Sequence, residues 1–400
     1  MKMCFCASTF PSRSQTFVTS QVLYALRNGH EVTVACRESE ADAGLSDADV
    51  RALEAVRMVR WPPPPLRAAA LLPDRLGDRI TEAQAAWSWR RQIDADVVVA
   101  HFGYRGAAVA RAQRGWDKRR PLVTIFHGRD VVVEARRSGL AKYRPLFEDG
   151  DALLTVNRPF ARMLIDAGAP ADRVDTHHLG IPVSRYAFAP RPPGRQFRMV
   201  TVCRLVEKKG LSVAIDALAR LTETDPDLDW RFDIGGGGPL DADLRAQVAA
   251  AGLGARVRFL GPLSHSDTLK HIADADAFLL PSITAPDGDQ EGIPVTLMEA
   301  MALGTPVCTT RHSGIPELVR HDESGLLSEE GSVDGLASNI SRLARSDVDL
   351  TAIVRAARAK VEKEFNEERQ NAELLARFEA LVAQKQRQTP AKIGRKAQIS

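Results

Sequence analysis

Two carboxylates, Glu291 and Glu299, stand eight positions apart, and Gly292, Ile293 and Pro294 directly follow the first. Proline suits the first position of a helix, because its fixed φ is already helical and its missing N–H has no partner to lose there. The spacing therefore predicts Glu291 in a loop, Pro294 at the first helical position and Glu299 inside the helix. Amides near Val295, Thr296 and Leu297 would then be unpaired at the positive end of the helix dipole, an arrangement that binds anions. A phosphate held there, with a carboxylate on either side to accept hydroxyl groups, has the outline of a nucleotide sugar. The plainer reading is two surface acids near a helix start.

Charge of the opposite sign lies upstream. Arg204 and Lys209 are five positions apart, between a predicted strand ending at Cys203 and the next helix. Two cations at such a corner suit a diphosphate and would neutralise the charge that builds on it as a glycosidic bond breaks. The other reading is a solvent-facing pair with Glu207 as counter-charge. Gly235, Gly236, Gly237, Gly238 and Pro239 follow a predicted strand and open a helix. Missing side chains there let a ligand approach the backbone, although a tight turn alone would account for the run. It departs from the dinucleotide fingerprint, because Leu240 and Asp241 stand where the third glycine belongs. His127 follows an apolar strand, at the carboxyl end where open α/β sheets bind ligands. An imidazole of near-neutral pKa would serve proton exchange there; a strand-end histidine bonded to backbone is the other reading. His101 closes the preceding strand in the same way. Ser14, Gln15 and Thr16 follow the first strand. Arg129 and Asp130 stand either to touch a second substrate or to pair with each other.

The elements that must position these residues are legible as two alternating series. Strands are predicted at 3–7, 31–36, 55–60, 96–101, 122–126, 152–156 and 174–178, with helices at 14–28, 78–92, 105–114 and 159–167. The second series has strands at 197–203, 230–235, 256–260, 276–280 and 306–309, and helices at 209–222, 240–251, 265–273, 294–303 and 332–344. Both are the βαβ pattern of a doubly wound parallel sheet. Four hundred residues exceed one hydrophobic core, so two α/β domains are expected. The boundaries read as a first domain over 1–189, a Pro- and Arg-rich linker over 190–196 and a second domain over 197–366. A last helix over 367–388 and a polar, basic, disordered tail over 389–400 complete the chain. Placed face to face, the two sheets would share one cleft.

Composition narrows the partners. Hydrophobic content of 44% and charged content of 26% are those of a soluble globular protein, and no apolar run is long enough to span a bilayer. Met1 leads directly into a strand rather than a secretion signal, so the chain is expected in the cytoplasm. The five cysteines read as free thiols in a reducing compartment. Net charge is +3, and residues 1–190 carry 27 Lys and Arg against 21 Asp and Glu. That bias suits an anionic lipid or the inner membrane face, or merely reflects solvated arginines. The segment 61–72, a proline run followed by the apolar stretch Leu66–Leu72, reads as a membrane- or acceptor-facing loop or as a rigid connector. Nucleic acid is not an expected partner: the net charge is small and no recognition motif appears.

The order of motifs resembles the family 4 glycosyltransferases, retaining enzymes of the two-domain GT-B type. It is most similar to the exopolysaccharide enzymes of the colanic-acid and amylovoran kind. The residues that carry the resemblance are the run from Asp287 to Val295, the opening from Phe10 to Phe17, and the turn from Ser313 to Val319. The resemblance covers nearly the whole chain, more closely over 200–330 than over 1–190. It implies a hexose moved from a nucleotide diphosphate, a UDP-sugar, onto a lipid-linked saccharide. It implies that Arg204 and Lys209 contact the donor phosphates and that Gly235 and Gly237 lie near the nucleoside. Glu291 would hold a donor-sugar hydroxyl and Glu299 the ribose. Amides after Gly292, with Ile293, Pro294, Val295 and Thr296, would complete the donor site. His127 would sit by the reacting groups, and the last helix would cross back onto the first domain. Ser14, Gln15, Thr16, His101, Arg129 and Asp130 would face the acceptor. The Gly-Gly turn that many relatives have after the first strand is absent, and Gln15 replaces a frequent Glu, so the acceptor contacts differ in detail. Asp287 and Asp289 form an Asp-x-Asp pair that could bind a divalent metal. Glycosyltransferases using that motif have a different fold, and this family generally works without metal, so no cofactor is expected. The rival readings are an epimerase or phosphorylase of the same shape, or a non-catalytic nucleotide-sugar or polysaccharide-binding subunit.

Overall fold

The computed structural model describes residues 1–12, 15–40, 44–61, 89, 92–116 and 119–388. The first series forms a seven-stranded sheet, entirely parallel, in the order β3-β2-β1-β4-β5-β6-β7. Its strands are β1 Lys2–Cys6, β2 Glu31–Cys36, β3 Arg57–Arg60, β4 Val97–His101, β5 Leu122–Phe126, β6 Ala152–Thr155 and β7 Val174–Thr176. The helices between them are α1 Thr16–Arg27, α2 Asp47–Leu53, α3 Gly103–Gln113, α4 Arg129–Ser138, α5 Arg144–Asp149 and α6 Arg158–Asp166. The second series forms a six-stranded parallel sheet in the order β10-β9-β8-β11-β12-β13. Its strands are β8 Phe197–Val202, β9 Trp230–Gly235, β10 Val257–Gly261, β11 Ala277–Leu280, β12 Val307–Thr310 and β13 Leu326–Ser328. The helices are α7 Leu211–Thr224, α8 Asp241–Ala250, α9 His265–Ala273, α10 Val295–Leu303, α11 Ile315–Leu318, α12 Val333–Ala344, α13 Leu350–Glu364 and α14 Glu367–Gln388. The expected two-domain α/β architecture is therefore present.

Both faces of each sheet are covered, so the central strands are buried along nearly their whole length rather than alternating between buried and exposed. All five residues of β4 and of β5 are buried. Cys4 and Cys6 point into one core of the first sheet, and Met3 and Phe5 into the other. Strand order reverses beside β1 in the first sheet and beside β8 in the second, and ligands of open α/β sheets bind at the carboxyl ends of strands near such a reversal.

Several elements differ from expectation. Short pieces were not anticipated: α2, α5 and β13 each offer too few residues to establish a period. Helix α4, which follows His127, was hidden by its charged sequence. The predicted 78–92 helix and the 62–72 segment fall on or mostly on positions outside the described residues, as do Ser14 and the tail 389–400. Ile181, Val183 and Tyr186 pack in the core under the second sheet, so that core begins before the 190–196 segment. Helix α14 then returns, and its Leu374, Phe378 and Val382 join Val18, Val22 and Phe5 in a core of the first sheet. Among the described residues no helix is long and apolar enough to cross a membrane. All five cysteines are free thiols, four of them buried and Cys203 partly exposed.

Candidate active site

Lys209 and Glu291 meet in the second domain, Nζ to Oε1 at 2.7 Å, with side chains 14% and 9% exposed. Burial works against both charges, and each is kept charged by the other. For the Lys209 ammonium, burial is outweighed by the Glu291 carboxylate, and its pKa rises. For Glu291, burial is outweighed by Lys209 and Lys208, and its pKa falls. Lys208 was not singled out from sequence. It reaches Asp289 Oδ2 at 3.1 Å and donates to the Gln290 carbonyl at 3.2 Å. Arg204 is exposed and, among the described residues, makes no ion pair, so the alternative pairing with Glu207 is not formed there. Lys208 and Lys209 are thus each matched by a carboxylate, while Arg204 is left without one among the described residues.

The loop that carries Glu291 is held by side chains from three directions. The Glu291 amide donates to His312 Nε2 at 3.0 Å, and Ser313 Oγ donates to the Glu291 carbonyl at 2.8 Å. His312 Nδ1 lies 2.6 Å from Glu330 Oε1. An Nε2 that accepts an amide must be bare, so the proton is on Nδ1 and Glu330 accepts it. From the first domain, Asn157 Nδ2 donates to the Gly292 carbonyl at 3.1 Å. None of these partners is legible from the Glu291 motif alone. A histidine directly before the Ser313–Gly314 turn was the available signal for His312.

Helix α10 starts one residue later than the proline rule predicts. Pro294 has φ −63° and ψ 125°, so it is the extended N-cap residue, not the first helical one. Its carbonyl accepts the Leu297 amide at 3.2 Å, which removes Leu297 from the expected free donors. Val295 and Thr296 remain as first-turn amides that no earlier turn can accept. Ile293 is buried, and Val295 is 44% exposed. Within the helix, Glu299 is 4% exposed, and Tyr186 Oη donates to its Oε1 at 3.1 Å. Burial pushes its carboxyl pKa up to about 7, against the pull of the tyrosine hydrogen bond. His265 Nδ1 lies 3.8 Å from the same oxygen.

The glycine run has a packing reason. Gly236 sits at φ +118°, where a Cβ would come within 1.9 Å of the Cys203 carbonyl oxygen. A Cβ on Gly235 would meet Leu263 at 2.8 Å, whereas Gly237 is exposed with its nearest neighbour at 3.6 Å. Of the two predicted glycines, only Gly237 presents backbone to solvent. Asp287 Oδ1 accepts the Asp289 amide at 2.9 Å, so that carboxylate closes its own turn.

Across the gap, His101 Nδ1 and His127 Nε2 lie 3.1 Å apart, and Phe17 stacks on His127 at 4.2 Å. Burial and the neighbouring His101 and His177 rings lower the His127 pKa well below its usual value. Burial and His177 push His101 down to about 3. The near-neutral imidazole expected from sequence is corrected accordingly: both rings stay neutral, and the apolar enclosure is the cause. Asp130 is buried too. Its Oδ1 accepts the His127 and Gly128 amides at 3.0 and 2.9 Å, and its Oδ2 the Gly103 amide at 2.8 Å. It therefore clamps two strand-end turns together rather than pairing with the exposed Arg129. Gln15 is the N-cap residue of α1 without a capping side-chain bond, and its Oε1 is buried with no partner among the described residues; Thr16 is exposed.

The two halves converge at Gly292. A Cβ there would lie 2.9 Å from Val156 Cγ2 and 3.5 Å from the His127 carbonyl oxygen. The fold thus brings Lys209, Glu291 and the first turn of α10 opposite the His127 corner.

Residues 14–185 match the model described as Glycosyltransferase Family 4, and residues 184–360 match Glycosyl transferases group 1. The amylovoran biosynthesis glycosyltransferase AmsK of Erwinia amylovora is 34% identical over 411 residues, covering 94% of this chain and all of that protein. This chain is a member of that glycosyltransferase family. A putative colanic acid biosynthesis glycosyltransferase, WcaL of Escherichia coli K12, is also 34% identical, over 95% of the glycosyltransferase described here and all of WcaL. Among solved structures, Anabaena HepE in complex with UDP superposes with a TM-score of 0.72 at 20% identity, over 95% of this glycosyltransferase and all of HepE. A sucrose-phosphate synthase from Thermosynechococcus elongatus reaches 0.73 at 17% identity, over 96% and 100% of the two chains. Both are likenesses of the GT-B fold.

Proposed function

We propose that this glycosyltransferase moves a hexose from a nucleotide diphosphate sugar, a UDP-hexose, to a lipid-linked saccharide, with retention of anomeric configuration, in exopolysaccharide biosynthesis. The observation that carries the reading is the buried Lys209–Glu291 pair at the foot of α10, beside Arg204 and the free amides of Val295 and Thr296. Relatives named for amylovoran and colanic acid biosynthesis support the pathway, and neighbours solved with UDP and UDP-glucose support the donor.

In this reading the donor diphosphate lies on the α10 amides, with Arg204 and Lys209 as its counter-charges. Glu291 accepts a hydroxyl of the donor sugar, and Glu299 accepts the ribose hydroxyls. The acceptor hydroxyl approaches the face from which the diphosphate departs. A bond forms between its oxygen and the anomeric carbon as the anomeric carbon–phosphate oxygen bond breaks, and the hydroxyl proton passes to the departing phosphate oxygen. His127, held neutral, orients the reacting hydroxyls by hydrogen bonding. Glu291 is not read as a nucleophile, since its charge is already shared with Lys209 and no second carboxylate flanks the bond. Asp289 is neutralised by Lys208 and Asp287 is occupied by a backbone amide, so fixed cations rather than a metal are proposed to carry the phosphate charge. Sugar transfer is the test, measured with and without chelator. Glu291→Ala, Arg204→Ala and Lys209→Ala should each lower turnover by about 10² or more while the proteins stay folded. Near-normal turnover in all three would exclude this site, and loss of activity with chelator would exclude the metal-free form.

A further inference from the structure

Among the described residues Arg105 has no counter-charge, and it lies in a part of the molecule that the proposed reaction has not yet used. It lies in the first turn of α3, directly beyond β4, and its side chain is largely enclosed. Among the described residues no carboxylate approaches it. Its one hydrogen bond runs from Nε to Ser8 Oγ at a long 3.4 Å, and its guanidinium carbon lies 5.8 Å from the Tyr104 ring centre. The two terminal nitrogens of its fork are therefore unengaged. Burial weighs against its charge, as does the nearby Arg37, and its pKa is lowered. A second cation so close makes the mismatch greater. Arg37 is exposed and is fixed beside Ser8 by its own amide, which donates to the Ser8 carbonyl at 3.0 Å. Ser8 Oγ in turn lies 2.9 Å from Tyr104 Oη. The Arg105 guanidinium and two hydroxyls thus meet at one spot, with Arg37 anchored beside it and near enough to act on the Arg105 charge.

That spot stands where β1, β2 and β4 end, beside β1, where the strand order of the first sheet reverses. It is also continuous with the His127 corner: Tyr104 stacks on Phe102 at 5.6 Å, and Phe102 lies 4.8 Å from His127. An enclosed guanidinium with no counter-charge is costly to maintain, and its planar fork matches an oxyanion. We infer that Arg105, with Arg37, Ser8 and Tyr104, forms a subsite for an oxyanion of the acceptor substrate, a phosphate or carboxylate held next to the hydroxyl that is glycosylated. The inference rests on the proposed reading in which the first domain receives the acceptor. The oxyanion could belong to the diphosphate of a lipid carrier or to a sugar acid, and both present the same chemistry to the fork.

The full chain, saturated with UDP so that the donor site is filled, should be titrated calorimetrically with geranyl diphosphate, inorganic pyrophosphate and a methyl glucuronide. At least one should bind the wild type, weaken with added salt, and bind Arg105→Gln about tenfold more weakly. Arg37→Gln, an exposed change that leaves the melting temperature unaltered, should weaken it several-fold. Preference for geranyl diphosphate assigns the subsite to a lipid headgroup, equal binding of pyrophosphate to the diphosphate itself, and preference for the glucuronide to an acidic sugar. The inference is overturned if none of the three binds the wild type, or if Arg105→Gln binds as the wild type does. Should Arg105→Gln fail to fold, unchanged affinity in Arg37→Gln overturns it. UDP binding is read separately in each protein. Its absence would sink the donor-site reading, while its persistence alongside lost probe binding isolates the failure to Arg105.

Discussion

Lys209 and Glu291 serve stability and the proposed chemistry at once, and the two roles can be separated. Removing one partner leaves the other charged and buried, so Lys209→Met should lower unfolding stability by about 3 kcal/mol. The double variant Lys209→Met, Glu291→Gln removes both charges and should recover most of that loss in denaturant unfolding, while sugar transfer stays down by about 10² or more. Recovery of transfer together with stability would make the pair merely structural. Glu299 gives a pH signature. Its carboxyl titrates at about 7 in the folded protein against 4.5 for the free group, so the folded state holds a proton that the unfolded chain releases between those values. Stability therefore falls as pH rises through that window, by up to roughly 3 kcal/mol. Urea unfolding of Glu299→Gln at pH 5 and pH 8 should lack that fall. If Glu299 accepts ribose hydroxyls, UDP binding should also tighten from pH 6 to pH 8 in the wild type and stay level in the variant. The types and spacing of Glu291, Glu299, Arg204 and Lys209 made them conspicuous in the sequence. What sequence could not supply was protonation, since the enclosure of His127 by Phe17, His101 and His177 comes from residues distant along the chain.

At the level of elements, the β9–α8 turn separates two meanings of glycine. Gly236→Ala should destabilise by about 2 kcal/mol or more, because both its φ and the Cys203 carbonyl oppose a side chain. Gly237→Ala should shift the melting temperature little; if Gly237 lies against the nucleoside, it should weaken UDP binding instead. The long strands and helices were readable because an apolar run or a 3.6-residue period persists long enough to be seen. Helix α4 was not, since its run of Arg136 and Arg137 obscures the buried Val131 and Val132 stripe. The start of α10 was misjudged by one residue because Pro294 is compatible with both the N-cap and the first helical position, and only its ψ decides.

At the scale of the molecule, the domains touch beside the site through few polar contacts. Asn157 donates to Gly292, while Glu317 accepts the Arg158 amide at 2.7 Å and lies 2.8 Å from His178 Nε2. Asn157→Asp keeps a side-chain oxygen to cap α6 but loses the donor to Gly292. Combined with Glu317→Gln it should favour a more open molecule, seen as a larger radius of gyration in solution scattering that contracts when UDP-hexose is added. An unchanged radius would mean that these contacts do not set the closure. The return of α14 follows from a bridge between the two chain crossings, where Ile181 donates to the Phe365 carbonyl and accepts the Glu367 amide, each at 2.9 Å. A chain ending at Glu364 should be poorly soluble, because the apolar stripe of α1 would lose Leu374, Phe378 and Val382. The same arrangement has a consequence for biosynthesis. Met3, Phe5 and Val18 leave the ribosome more than three hundred residues before the helix that covers them, so during synthesis the nascent first domain carries a sticky, uncovered face that invites chaperone capture.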